Sequence, residues 1–301
     1  MKEEKIHHIH FAFFGSSRMS VLVLNQLERF GFIPACIVTT PDKPRGRSLN
    51  IKANEVKQWG LDRDIKVYDP ALFTDEVIAQ LKSEGCEIFI VASYGKIIPE
   101  KIYDMPEHKT LNIHPSLLPL YRGATPMQSA ILNDDKDIGV TIMRVTKGMD
   151  EGPIVAQNKV DFKQFPKEEW PTYEDFEEVM AYEGAKLLAD ILRGWISDEL
   201  KEKEQDHSQA TYTRKIKKED ARINLADDAY VNFRKIQAYQ GSPVAFFIHS
   251  YKGKDMRVKI IKASYEKDAS GTGKLIIEKV IPESGKEMDF DSFVRGHGNP
   301  L

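Results

Sequence analysis

Apolar positions along this chain alternate between short continuous runs and stretches spaced three and four apart. His8–Phe14 is an apolar-rich run closing on Gly15-Ser-Ser, the pattern of a strand and a tight turn. Val21, Leu24, Leu27 and Phe30 then recur at helical spacing before Gly31, which predicts a helix over Met19–Phe30. Ile33–Val38 supplies a second strand, so the chain opens as a βαβ unit. Ala53–Trp59 reads as helix, Ile65–Tyr68 as a short strand, and Thr74–Lys82 as a helix that Thr74 can cap. Glu87–Val91 is a continuous apolar strand of the kind buried on both faces in parallel sheets. Leu111–His114 ends a further strand, Pro126–Asn133 is a helix, and Gly139–Val145 with Val155–Val160 forms a hairpin. A long amphipathic helix over Tyr173–Trp195 carries Phe176, Met180, Leu188, Leu192 and Trp195 on one stripe. These elements predict an α/β, Rossmann-like domain with a mostly parallel sheet over residues 1–196.

The rhythm then breaks. Residues 197–212 are polar, with Lys-Glu-Lys-Glu followed by Gln-Asp-His-Ser-Gln, and read as a linker. Beyond it, residues 213–301 form a second domain. A short helix fits Ala226–Ala238, and strand patterns follow at Val244–His249, Arg257–Ala263 and Lys274–Val280. Several short strands separated by turns point to a small β-barrel. Its aromatics Phe246, Phe247 and Tyr251 serve either to fill that barrel or to meet nucleic acid.

Composition narrows the class. The 301 residues are 41% apolar and 30% charged, enough for a core and a solvated surface, and no apolar run reaches membrane-spanning length. The start, Met-Lys-Glu-Glu-Lys-Ile, carries acids and is not a signal peptide. Cys36 and Cys86 sit among apolar neighbours, without metal spacing, and read as free thiols of a cytoplasmic protein. His7, His8 and His10 lack accompanying carboxylate or thiol ligands, so they read as strand residues, and no metal is expected. Neither a G-x-G-x-x-G nor a Walker motif is present, which removes the main support for a dinucleotide or P-loop enzyme. The net charge of −3 is uneven: Thr211–Leu301 has 17 Lys and Arg against 12 Asp and Glu, or +5, leaving −8 elsewhere. A basic C-terminal third suits an anionic partner such as RNA.

The chemistry concentrates between Thr110 and Pro126. Asn112 and His114 are two apart, so on a strand their side chains leave the same face, at the end where ligands collect in open α/β sheets. Pro115 stops the strand. The Pro-rich loop after it is long for a mere connection, which favours function over simple capping of nearby backbone. Downstream, Lys147-Gly-Met-Asp-Glu-Gly-Pro153 presents Asp150 in a turn. An amide donor, an imidazole and a carboxylate suit acyl transfer at a carbonyl carbon.

The residues carrying a family resemblance are Asn112-Ile-His-Pro-Ser-Leu-Leu-Pro119, Tyr121-Arg-Gly-Ala-Thr-Pro126, Gly139-Val-Thr-Ile-Met143 and Gly148-Met-Asp-Glu-Gly-Pro-Ile154. Together they resemble the core of the folate-dependent formyltransferases, with similarity running from Phe11 to about Lys262. The resemblance is greatest to the branch acting on methionyl initiator tRNA. It implies transfer of the formyl group of 10-formyltetrahydrofolate, as co-substrate, to the amino group of charged initiator tRNA in translation initiation. It implies no metal, an OB-like barrel at the C-terminus and a chain working as a monomer. In that reading Asn112 donates to the oxyanion, His114 is a second donor and proton relay, and Asp150 supports the imidazolium or orients the amine. Ser116, Leu117, Leu118 and Pro119 become the folate-binding segment, and Tyr94-Gly95 a wall for the pterin ring, although Tyr94 can equally be packing. The basic loop Thr39–Asn50 carries Lys43, Arg45 and Arg47, and the resemblance places Arg47 on the acceptor end of the tRNA. Lys215 and Lys217, in the bridge Thr211–Ile223, extend that RNA contact.

The chain departs from the family pattern at Phe14-Gly-Ser-Ser-Arg-Met-Ser, at Asn224-Leu225 and at Gly241-Ser242-Pro243. The first alters a pocket wall, and the second alters contacts between domains. The alternative substrate is an amino group of a nucleotide-linked sugar, against which the basic loop and basic C-terminal third argue. A formyltetrahydrofolate hydrolase would need an extra domain, and a non-catalytic RNA-binding relative would have no use for the intact triad.

Overall fold

The structure is a computed structural model describing residues 9–45, 50–165, 169–241, 243–267 and 273–300. It divides into two compact units. The first comprises residues 1–123, 137–160 and 177–212, and the second residues 124–136, 161–176 and 213–301.

The first unit is built on a seven-stranded sheet. In spatial order its strands are Ile154–Val160, Ile138–Arg144, Thr110–His114, Ile88–Val91, Phe11–Phe14, Cys36–Val38 and Lys66–Tyr68. The last five are mutually parallel, and Ile138–Arg144 runs antiparallel to both of its neighbours, Thr110–His114 and Ile154–Val160. Phe11–Phe14 and Ile88–Val91 are fully buried, as expected of apolar runs covered on both faces. The helix Arg18–Arg29 buries Val23, Leu24 and Leu27. Two further helices begin where a side chain can take the first free backbone N–H groups. Asn54 accepts from Lys57 N ahead of Glu55–Leu61, and Thr74 accepts from Val77 N ahead of Asp75–Ser83. The predicted α/β, mostly parallel Rossmann-like sheet is therefore present, with boundaries within a few residues of those read from the pattern.

The polar stretch after the helix Tyr173–Ile196 is bound to the sheet edge. Lys203 and Ile154 exchange backbone hydrogen bonds at 2.7 and 2.8 Å, and Arg144 forks onto Glu202 at 2.6 and 2.8 Å. That carboxylate holds the Arg144 guanidinium above its ordinary range.

The second unit contains a four-stranded antiparallel sheet in the order Phe246–Tyr251, Lys254–Lys267, Gly273–Pro282, Met288–Asp289. Its core gathers Ile223, Ile236, Phe246, Val258, Ile260, Val280 and Phe293, so Phe246 and Phe247 fill the interior. The strand Lys254–Lys267 runs past its predicted end because a register shift at Ile260–Ala263 lets pairing continue. The helix Phe290–His297, which lacks a strong apolar run in the sequence, closes the chain by burying Phe290 and Phe293. Among the described residues no helix is long and apolar enough to cross a membrane.

Candidate active site

The strand Thr110–His114 lies between Ile88–Val91 and Ile138–Arg144, and its two faces do different work. Leu111 and Ile113 are buried on one side. A Cβ on Gly184 would come within 2.5 Å of Ile113 Cγ2, so the long helix approaches the strand only because glycine stands there. Asn112 and His114 alternate to the opposite face, at the carboxyl end of the strand. The amide and imidazole expected side by side are brought together.

His114 is 4% exposed. Its Nε2 lies 3.0 Å from the Tyr121 carbonyl oxygen, which can only accept, so Nε2 carries the proton and donates. Nδ1 then faces Asp150 Oδ2 at 3.7 Å, long for a hydrogen bond but close for a charge interaction. The same Asp150 oxygen accepts from Gly123 N at 2.8 Å. Asn112 is half-buried. Among the described residues its carboxamide has no hydrogen-bond partner, leaving its N–H groups for an incoming oxygen.

The loop after Pro115 is fixed from beneath. Thr141 Oγ1 donates to Ser116 O at 2.6 Å and accepts from Leu118 N at 3.1 Å. Gln157 Nε2 donates to Leu118 O at 2.8 Å and to Thr141 Oγ1 at 2.9 Å. Ser116 Oγ donates to Leu120 O at 2.6 Å. Leu117 lies over Gly139, where a Cβ would come within 2.5 Å of its Cδ2. Thr141 and Gln157 were not singled out in the sequence. Their strand positions mark them only as inward-facing polar residues.

Asp150 is held in a left-handed conformation, φ 54°, which aspartate tolerates better than most residues. Gly152 completes that turn so close to the strand before it that a Cβ would lie 1.8 Å from Arg144 O. Gln205 Nε2 donates to Asp150 O at 2.9 Å and to Gly152 O at 2.6 Å. Gln205 belongs to the stretch read as linker, and Arg122, part of the motif but without an assigned role, is fully buried beside it.

The residues expected to wall the pterin, Tyr94 and Gly95, follow the strand Ile88–Val91, whose Val91 pairs with Asn112. Tyr94 is 3% exposed, with its ring edge-on to Phe14 and 6.4 Å from Phe73, inside the core on one side of the sheet. Among the described residues its hydroxyl has no partner, and burial pushes the phenol up to about 12. Gly95 adopts φ 75°, and Ser16 Oγ donates to Tyr94 O at 2.5 Å, tying this loop to the first strand's turn.

Of the expected RNA-contacting residues, Arg47 and the side chains of Lys43 and Arg45 lie outside the described residues. The backbone of Lys43–Arg45 pairs with Asn50–Lys52 as a hairpin. Its base is clamped by Lys57, which reaches Asp42 and Asp69 at 2.8 and 2.7 Å, and by Asn54, which donates to Thr40 O at 2.8 Å. Lys215 and Lys217 are exposed.

Comparison with known proteins gives this geometry a context. The family described as formyl transferase matches residues 9–186, and its C-terminal domain matches residues 215–276. The chain is 38% identical to the methionyl-tRNA formyltransferase of Chloroflexus aggregans over 88% of its own length and 84% of that protein's. Among solved structures it resembles the methionyl-tRNA formyltransferase from Clostridium thermocellum, with a TM-score of 0.60 at 17% identity, over 93% of this chain and 99% of that one. It also resembles a sugar N-formyltransferase from Shewanella sp FDAARGOS_354, with a TM-score of 0.62 at 18% identity, over 87% of this chain and 100% of that one.

Proposed function

We infer the reaction from one premise: the chain belongs to the formyl transferase family. It formylates methionyl-tRNA. The sugar enzyme shares the fold at low identity, whereas the resemblance to a methionyl-tRNA formyltransferase extends through the sequence of both units. The donor in this reading is 10-formyltetrahydrofolate and the acceptor is the α-amino group of the charged initiator tRNA, which places the reaction in the cytoplasm.

The observation that carries the reading is the convergence of Asn112, His114 and Asp150 at one strand end. Attack of the amine on the formyl carbon makes a tetrahedral adduct with a negative oxygen and a positive nitrogen. The Asn112 carboxamide donates to that oxygen. His114 is held by the Tyr121 carbonyl at Nε2, so a proton at Nδ1 gives an imidazolium paired with Asp150. The proton lost by the amine and the proton gained by the departing folate nitrogen are equal in number, and the His114–Asp150 pair holds it between the two steps. The loop Ser116–Pro119, fastened by Thr141 and Gln157, is the folate segment. The basic segment carrying Lys43, Arg45 and Arg47 contacts the RNA, together with Lys215 and Lys217.

The test follows labelled formyl from 10-formyltetrahydrofolate to charged initiator tRNA. Formylated methionyl-tRNA is expected, with loss in His114→Ala and in Arg47→Ala. Turnover only with an amino-sugar nucleotide would keep the site and overturn the acceptor.

A further inference from the structure

We propose that Gln205 is a positioning residue that holds Asp150 onto His114 by linking a buried guanidinium to the Asp150 turn. The inference rests on the role assigned above to Asp150. Arg122 is 0% exposed, and Gln205 is 4% exposed beside it. Gln205 Oε1 accepts from Arg122 Nε at 3.1 Å and Nη2 at 2.8 Å. Arg122 also contacts the Tyr212 hydroxyl at 2.9 Å, His207 Nδ1 at 3.0 Å and Glu151 Oε1 at 3.6 Å. At its other end the same carboxamide donates to the carbonyls of Asp150 and Gly152.

Chemistry fixes the orientation of this amide. A guanidinium offers only donors and a backbone carbonyl only accepts, so the oxygen must face Arg122 and the nitrogen must face the turn. All four contacts are made by one rigid planar group. The turn it grips is the one whose left-handed residue is Asp150 and whose Gly152 sits against the preceding strand. With the carbonyls of residues 150 and 152 both fixed, the carboxylate has little freedom except rotation within its own side chain. Gly123 N then selects the rotamer that points Oδ2 at His114.

This arrangement separates positioning from packing. Gln205→Glu preserves shape and gives Arg122 a counter-charge, which offsets part of the stability lost where the turn loses its donor. The same change places a carboxylate oxygen against two carbonyl oxygens now held at 2.6 and 2.9 Å from a donor, which repels the turn. Displacing a catalytic group by about 1 Å costs on the order of a hundredfold.

The experiment is a double-mutant cycle on the full chain. Formyl transfer to charged initiator tRNA is measured under single-turnover conditions in Gln205→Glu, Asp150→Asn and the pair, with Gln209→Ala as an exposed control. Thermal melts run alongside. Gln205→Glu is expected to stay folded, melting a few degrees below the parent, and to lose about ten- to a hundredfold in kcat, with KM for both substrates nearly unchanged. In the Asp150→Asn background the same substitution is expected to cost less than about threefold, because the group it positions has gone. A full-rate Gln205→Glu, or a loss that multiplies with that of Asp150→Asn, overturns the proposal and leaves the role of Asp150 standing. A full-rate Asp150→Asn overturns that role, and this inference with it.

Discussion

Replacing Asp150 with asparagine removes one charge and almost no volume, so it tests the electrostatic half of the site alone. Asp150 Oδ2 stands 3.7 Å from His114 Nδ1. At an effective dielectric of about 20 that separation corresponds to roughly 4 kcal/mol between full charges. The carboxylate retains some contact with solvent, with its side chain 18% exposed, so about 3 kcal/mol is the usable part. Lost from the transition state, this corresponds to a fall in kcat of about a hundredfold or slightly more. Binding should change little, because the imidazolium counter-charge matters only once the amine has begun to give up its proton. The asparagine oxygen can still accept from Gly123 N, so the turn should hold and the melting temperature should fall by only a few degrees. The assay is single-turnover transfer of labelled formyl with both substrates saturating. A rate within threefold of the parent would refute the pairing of carboxylate and imidazole as a catalytic device. A large rise in KM with unchanged kcat would make Asp150 a binding residue instead.

Asn112→Ala should cost about 3 kcal/mol of transition-state stabilisation, near a hundredfold in kcat, with an unchanged melt, because its amide supports no other group among the described residues. A loss confined to KM would reassign it to binding. Thr141→Val keeps the shape of a residue that satisfies Ser116 O and Leu118 N, and leaving both buried groups unpaired should cost about 2–3 kcal/mol in urea unfolding and raise the folate KM. A neutral effect on both would show that the loop does not depend on this anchor. Tyr94→Phe deletes a buried hydroxyl that has no partner among the described residues, so stability should rise by about 1 kcal/mol, or a few degrees in the melt, with normal folate KM. A raised folate KM would instead place the phenol at the pterin site.

Much of this site could be read from the chain because its residues obey short-range rules. Asn112 and His114 share a face through the strand's period of two, and Pro115 marks where the strand ends. The helix Pro126–Asn133 begins at proline and appears as drawn from the sequence. Tyr94 shows where such rules stop. Its position at a strand end made a surface ring and a core ring equally acceptable, and only the packing of Phe14 and Phe73 around it puts the ring inside.

Residues 197–212 show a deeper limit. Polar residues without periodicity read as a solvated connection, since nothing local gives them a reason to be buried. What buries Gln205 is a charge 83 residues earlier in the chain. Arg122 is fully enclosed, and a guanidinium taken out of water requires acceptors in several directions. Carboxylates alone would meet that need, but they could not also hold the carbonyls of the Asp150 turn. An amide can do both, because one end accepts and the other donates. The requirement for glutamine therefore arises from two unlike partners that meet only after the sheet has formed. A polar stretch following a domain with a buried, unexplained arginine should accordingly be searched for that arginine's acceptors before it is assigned to solvent.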